Sequence, residues 1–170
     1  MLIITIVNSI IAGASINALV AFGEEYGWRN YLVDALRGHK FWPSALFIGF
    51  VWGIWHFPII LMGHHNYPNE PVLGVPMMIV LCILMGVLEL YFVLKTRSMV
   101  VAAVMHGTFN AISGLVIYYI RGGNDLLNGM PGLSGFIVMS LAIVCIVLYD
   151  RYISRDNICS QTLDEALERS

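Results

Sequence analysis

The chain has 170 residues, of which 58% are apolar and 12% charged, and its formal net charge is −2; with a mean hydropathy of +0.77 it is too apolar for an ordinary soluble domain, and lipid is its expected solvent. The nine Lys and Arg are scattered, which excludes the clustered basic footprint of a nucleic-acid binder, so no nucleic acid is expected as a partner. Cys82, Cys145 and Cys159 have neither CxxC nor metal-ligand spacing, which argues against a thiol redox motif or a cysteine zinc site.

Leu2 to Phe22 is an apolar run of about the 20 residues needed to cross hydrocarbon. No positive leader with a small-residue cleavage site precedes it, so a retained span is expected. The segment GEEYGWRNYL follows, with Glu24, Glu25 and Arg29. If this helix runs on to about Leu36, it turns at Arg37-Gly38-His39-Lys40 and returns as a second apolar run, Phe41 to Met62, bearing Trp52 and His56. The loop from Gly63 to Pro71 holds His64 and His65, and a third run from Val72 to Leu94 contains Glu89. A turn at Thr96 to Ser98 leads to the fourth run, Met99 to Ile120, with His106 and Asn110. After the loop from Arg121 to Gly132 comes the fifth, Leu133 to Tyr149. The pattern predicts an all-α, polytopic transmembrane helix bundle of about five spans. Residues 1–150 read as one membrane-embedded domain and 151–170 as a polar tail.

Arg29, Arg37, Lys40, Lys95, Arg97, Arg151, Arg155 and Arg169 fall on one side of a five-span chain and only Arg121 on the other. That asymmetry predicts a multi-pass protein of the cell membrane with its N-terminus outside and its C-terminus cytoplasmic. Membrane lipid is then a constant partner, and a homo-oligomer is compatible with so short a bundle, because a second copy often completes a cavity.

Charged side chains at membrane depth cost roughly 2.5 to 3.5 kcal/mol each on insertion scales, so they face a bundle interior or a wet cavity and mark function. Glu24 lies 13 residues before Arg37 and His56 lies 15 after Phe41, so both stand about 20 Å above their shared turn. By the same rise, His106 and Asn110 stand about 13 and 19 Å above the Thr96 to Ser98 turn. Trp52 with His56, and His106 with Asn110, are i,i+4 pairs that share a helix face. Glu25 and Arg29 have the same spacing, acid first, and most naturally neutralise each other. Glu24 points about 100° away and has no obvious partner on its own helix, so desolvation suits it to a general base, with His56 as its expected partner.

Plainer readings stand beside these. A lone histidine in a span is often a hydrogen-bonded packing residue. Glu25 with Arg29 reads more readily as a structural ion pair, and Trp28, Trp52 and Trp55 as packing or interface residues. His39, His64 and His65 belong to loops and are expected to be solvated. Glu89, about 9 Å inside Lys95, could snorkel, pair with a histidine or line the cavity; the sequence assigns it no role.

Taken together, Glu24-Glu25-x-x-x-Arg29, an aromatic residue followed at +4 by histidine (Trp52 to His56) and His106-x-x-x-Asn110 resemble the CaaX protease and bacteriocin-processing family of intramembrane endopeptidases, also called Abi proteins. Trp52 stands where many members have Phe, and one span precedes Glu24 where many relatives have more. The resemblance implies that Glu24, assisted by His56, deprotonates a water that attacks a peptide carbonyl, while His106 and Asn110 donate hydrogen bonds to the oxyanion. Glu25, Arg29 and Trp52 would support them. The family has also been described as zinc-dependent, in which case Glu24, His56 and His106 would be the ligands. A metal-free site is preferred, because HExxH is absent and His106 pairs with an amide. The implied function is an intramembrane endopeptidase acting on a membrane-associated peptide, prenylated at its C-terminus or a bacteriocin leader. The alternative is a non-catalytic bacteriocin immunity or partner-binding protein of the same architecture. A proton or solute carrier is a weaker reading, since no inverted repeat is visible.

Overall fold

The first apolar run does not stop at Phe22. In the structure, a computed structural model describing residues 2–63, 66–119 and 122–168, with 116–118 by backbone alone, helix α1 (Leu2–Ala35) continues as one 34-residue element. Glu24, Glu25 and Arg29 therefore ride on a membrane-length helix. Two stretches of it, Gly13–Asn17 and Tyr26–Tyr31, are wound as π-helix, a wider turn that rotates everything beyond it relative to α-helical spacing. His64, His65, Arg121 and Arg169 lie outside the described residues.

The chain turns over residues 36–40, as predicted, and returns as α2 (Phe41–Trp55). The second apolar run is not one helix. It breaks at His56 and resumes as the short α3 (Phe57–Leu61), with Pro58 in its first turn. Proline has no N–H to donate and its ring collides with the carbonyl four residues back, so the ladder of α2 cannot pass through it. Helix α4 (Pro71–Thr96) runs 26 residues and stops at Arg97, which adopts the left-handed conformation at φ 54°. Then follow α5 (Met99–Tyr119) and α6 (Leu133–Ser154), the latter ending in a π turn over Asp150–Ser154. The five predicted runs thus supply the five main helices. Among the described residues, three helices (α1, α4 and α6) are long and apolar enough to cross a membrane, whereas the apolar stretches of α2 and α5 are shorter.

Small residues set the closest packing. A Cβ on Gly49 would lie 2.5 Å from Ile83 Cα, one on Gly53 2.5 Å from Ile79 Cα, and one on Gly86 3.3 Å from Gly49 Cα. Gly49-x-x-x-Gly53 therefore lets α2 lie almost backbone to backbone on α4, the small-xxx-small mode of helix association in lipid. Gly13 gives α1 the same approach to α5, where an added Cβ would sit 2.5 Å from Thr108 Cα. This pins α1 and α2 to the central α4–α5 hairpin.

At the end of the bundle holding the 36–40 turn, the polar tail folds back. The Phe41 N–H donates to the Gln161 carbonyl, and the Leu163 and Asp164 N–H groups donate to the carbonyls of His39 and Arg37, each at 3.0 Å. Ile158 and, from the terminal helix α7 (Leu163–Glu168), Leu163 and Ala166 are fully buried. The buried Asp150 carboxylate accepts the Cys159 N–H at 3.1 Å, and Lys95 pairs with Asp156. The side chain of His39 is exposed, as expected. At the opposite end, the Tyr67 hydroxyl donates to the Pro131 carbonyl at 2.6 Å and the Asn69 N–H donates to Asp125 at 2.9 Å, tying the two long loops together.

Candidate functional site

Trp52 is the hub around which Glu24, Arg29, His56 and His106 gather, whereas Asn110 makes no contact with it. It is buried on α2, and its indole N–H donates to Glu24 Oε2 on α1 at 3.0 Å. The Arg29 guanidinium carbon stands 4.3 Å from the centre of its ring. The His106 ring meets Trp52 edge to face at a centroid distance of 5.1 Å, and the His56 ring lies 5.9 Å away. Residues from three helices thus converge on one aromatic side chain. Glu24 has a partner that spacing along its own helix could not reveal.

The break at Pro58 shapes the His56 position. The His56 backbone N–H turns to the Gly53 carbonyl at 3.2 Å, and its ring Nδ1 lies 2.9 Å from the Trp52 carbonyl oxygen. A carbonyl can only accept, so Nδ1 carries the proton and, in the neutral ring, Nε2 is left as an acceptor. The Trp55 ring packs edge to face on the imidazole at 4.9 Å. His56 and Glu24 are each only partly buried, while Glu25 and Arg29 are fully shielded.

Beneath Trp52 lies a chain of buried charges. Arg29 Nη1 donates to Glu25 Oε1 at 3.2 Å, the i,i+4 pair expected from the sequence. Arg29 Nη2 forms a second ion pair with Glu89 Oε2 of α4. The same Glu25 oxygen lies 2.8 Å from His106 Nδ1. Glu89, to which the sequence assigned no role, is thus the second counter-ion of Arg29, and the carboxylate bonded to His106 is Glu25. A depth argument would have found the first of these: Arg29 lies about 12 Å above its turn and Glu89 about 9 Å above its own, with opposite charges in hydrocarbon. The second depends on the rotation of α1 and leaves no sequence signal. Asn110, one helical turn beyond His106 on α5, is exposed. Trp28 and Trp55 stack edge to face at 6.2 Å, in keeping with packing roles.

Among the described residues, one group of His, Asp and Glu side chains is close enough to share an ion. One oxygen each of Glu25 and Glu89 and a ring nitrogen of His106 lie within 4.8 Å of one another. Arg29 is already ion-paired with both carboxylates and is itself fully buried, so a divalent cation would have to displace a guanidinium that supplies the same compensation. These residues do not fit a metal centre, and Glu24 and His56 are not part of the group. A cavity of about 130 Å³ near the tail is lined by Arg29, Arg37, Arg97 and Leu167 among others, and takes in none of Glu24, His56 and His106.

A protein-family model described as type II CAAX prenyl endopeptidase, Rce1-like, matches residues 6–112, more than half of the chain. That stretch runs from within α1 to just past Asn110 and so holds every side chain gathered at Trp52. Neither the curated proteins nor the solved structures compared with the chain give a match. A family match of this extent makes the chain a member of the Rce1-like family of type II CAAX prenyl endopeptidases, membrane-embedded peptide hydrolases.

Proposed function

We propose that the chain is an intramembrane endopeptidase of about five spans that hydrolyses a peptide bond in a membrane-associated, prenylated or leader-bearing substrate, by a water activated between Glu24 and His56 and without a metal. The observation that carries this reading is the convergence of Glu24, His56 and His106 on Trp52. The indole N–H engages Oε2 of Glu24, which turns Oε1 toward the task of accepting a proton from water. His56, with Nδ1–H committed to a carbonyl, offers Nε2 to the same water. His106 and Asn110 donate to the developing oxyanion from the neighbouring turns of α5. No covalent enzyme intermediate is required.

The residues Arg37, Lys40 and Lys95 sit at the same end of the bundle as the folded tail. This supports a cytoplasmic placement of that end, with the N-terminus outside. The test is cleavage of prenylated and unmodified peptides in liposomes by the parent chain and by Glu24→Gln, His56→Ala and His106→Ala. Each substitution is expected to lower kcat by at least 100-fold, and a chelator is expected to change nothing. No cleavage by the parent chain would remove the enzyme reading in favour of a partner-binding role, and cleavage that survives Glu24→Gln and His56→Ala would remove those two residues from the mechanism. Loss of activity on chelation, restored by added zinc, would remove the metal-free mechanism.

A further inference from the structure

The cavity beside the tail gathers positive charge for which the site at Trp52 has no use. Its walls include Arg29 and Asn30 of α1, Arg37 and Arg97 from the two turns, Ser98, and Leu167 of α7. A volume of about 130 Å³ has room for several waters, and so for one group the size of phosphate. Arg29 stands about 12 Å inward of Arg37 along α1, so the cavity reaches from the end of the bundle toward its interior.

Three features give it the chemistry of an anion site. Arg29 is 2% exposed, and while its two terminal nitrogens face Glu25 and Glu89, its Nε–H has no acceptor. A donor orphaned at that burial calls for a partner. Arg97 is exposed and, among the described residues, pairs with no carboxylate; its left-handed backbone ends α4. Next to it Ser98 and Met99, which also line the cavity, open α5. The first N–H groups of that helix have no carbonyl behind them and carry the positive end of its dipole. Two acids stand nearby. Asp34 lines the cavity and accepts from Arg37 Nε at 2.7 Å, and Glu168 lies 3.8 Å from Arg37 Nη1. Both are engaged by Arg37, which leaves Arg97, the α5 N-terminus and the Arg29 Nε–H without a counter-charge in the cavity.

We propose that this cavity binds a phosphate group, carried by an anionic phospholipid of the leaflet at that end of the bundle or free in solution. Donors arriving from α1, from the α4–α5 turn and from α5 suit a tetrahedral group better than a planar carboxylate. The same end carries Arg37, Lys40 and Lys95, the charges by which a chain meets the phosphates of a bilayer surface. A bound phosphate would tie α1, α4, α5 and the tail together at the level of the headgroups. The inference does not depend on the protease reading.

The experiment is native mass spectrometry of the full chain in detergent, titrated with palmitoyl-oleoyl phosphatidylglycerol or with the zwitterionic phosphatidylcholine of the same chains. The parent is expected to bind its first phosphatidylglycerol at least tenfold more tightly than phosphatidylcholine. Arg97→Asn keeps a residue that tolerates left-handed backbone and should lose that preference. Asn30→Trp fills the cavity without changing its charge and should lose it too. Arg151→Asn removes an exposed charge from the tail end of α6, outside the cavity, and should stay within twofold of the parent. Equal losses in Arg97→Asn and Arg151→Asn would reduce the effect to general surface charge and overturn the proposal. Phosphatidylglycerol binding retained in Asn30→Trp would overturn it as well, and that variant decides if Arg97→Asn does not fold. Excess inorganic phosphate, against chloride at equal ionic strength, separates the two sources. Phosphate that displaces the lipid, or raises the Tm of the parent but not of Arg97→Asn, assigns the site to the free anion; lipid that stays bound assigns it to the headgroup. A parent that neither prefers phosphatidylglycerol nor gains Tm from phosphate has no such site.

Discussion

Replacing Trp52 by Phe isolates one hydrogen bond at the centre of the site. The aromatic ring remains, so the packing beneath the Arg29 guanidinium at 4.3 Å and beside His106 at 5.1 Å is largely kept. What disappears is the indole N–H that donates to Glu24 Oε2 at 3.0 Å. A hydrogen bond to a charged group contributes about 1.5 to 3 kcal/mol, and 1.36 kcal/mol is tenfold in rate. Glu24 is only partly buried, so water can replace part of that bond, and the lower end, a fall in kcat of about tenfold, is the expected result. KM should move less, because the lost bond positions the base and does not bind the peptide. The assay is steady-state cleavage of a fluorogenic membrane-anchored peptide in liposomes, with circular dichroism to confirm the fold. A folded Trp52→Phe protein with kcat within twofold of the parent would show that the indole does not hold Glu24 for catalysis.

Two further outcomes test the fold around the site. Gly49→Ala places a methyl 2.5 Å from Ile83 Cα, so α2 and α4 must separate, at the 1 to 3 kcal/mol typical of overpacking. A Cβ on Gly114 meets nothing within 4 Å, so Gly114→Ala should gain up to about 1 kcal/mol of helix propensity; equal midpoints for the two variants in an SDS unfolding titration would refute the close crossing. In the tail, burial pushes the Cys159 thiol up to about 12, with the Asp150 carboxylate adding to the shift. A raised value means less thiolate at a given pH, so in a Cys82→Ser/Cys145→Ser background iodoacetamide at pH 8 should label Cys159 at least tenfold more slowly than a free thiol. Asp150→Ala, which removes the acceptor of the Cys159 N–H, should speed labelling; equal rates would show that the tail is not docked.

Much of this was legible in the residues alone. Apolar run lengths determined an all-helical chain, and the rise of 1.5 Å per residue determined depth, which is why Glu24, His56 and His106 could be placed at comparable heights before any coordinates. The Glu25–Arg29 pair was legible because it is local. Two signals were present but unread: Pro58, which breaks α2 at His56, and Gly49-x-x-x-Gly53, which draws α2 onto α4. What the tertiary structure alone decided is azimuth. The π turns in α1 and the glycine-set crossings rotate the helices relative to α-helical spacing. Those rotations give Glu24 to the Trp52 indole, Glu25 to His106 and Glu89 to Arg29. Axial position follows from counting residues along one helix, but facing direction depends on how several helices pack together, and no single stretch of sequence contains that.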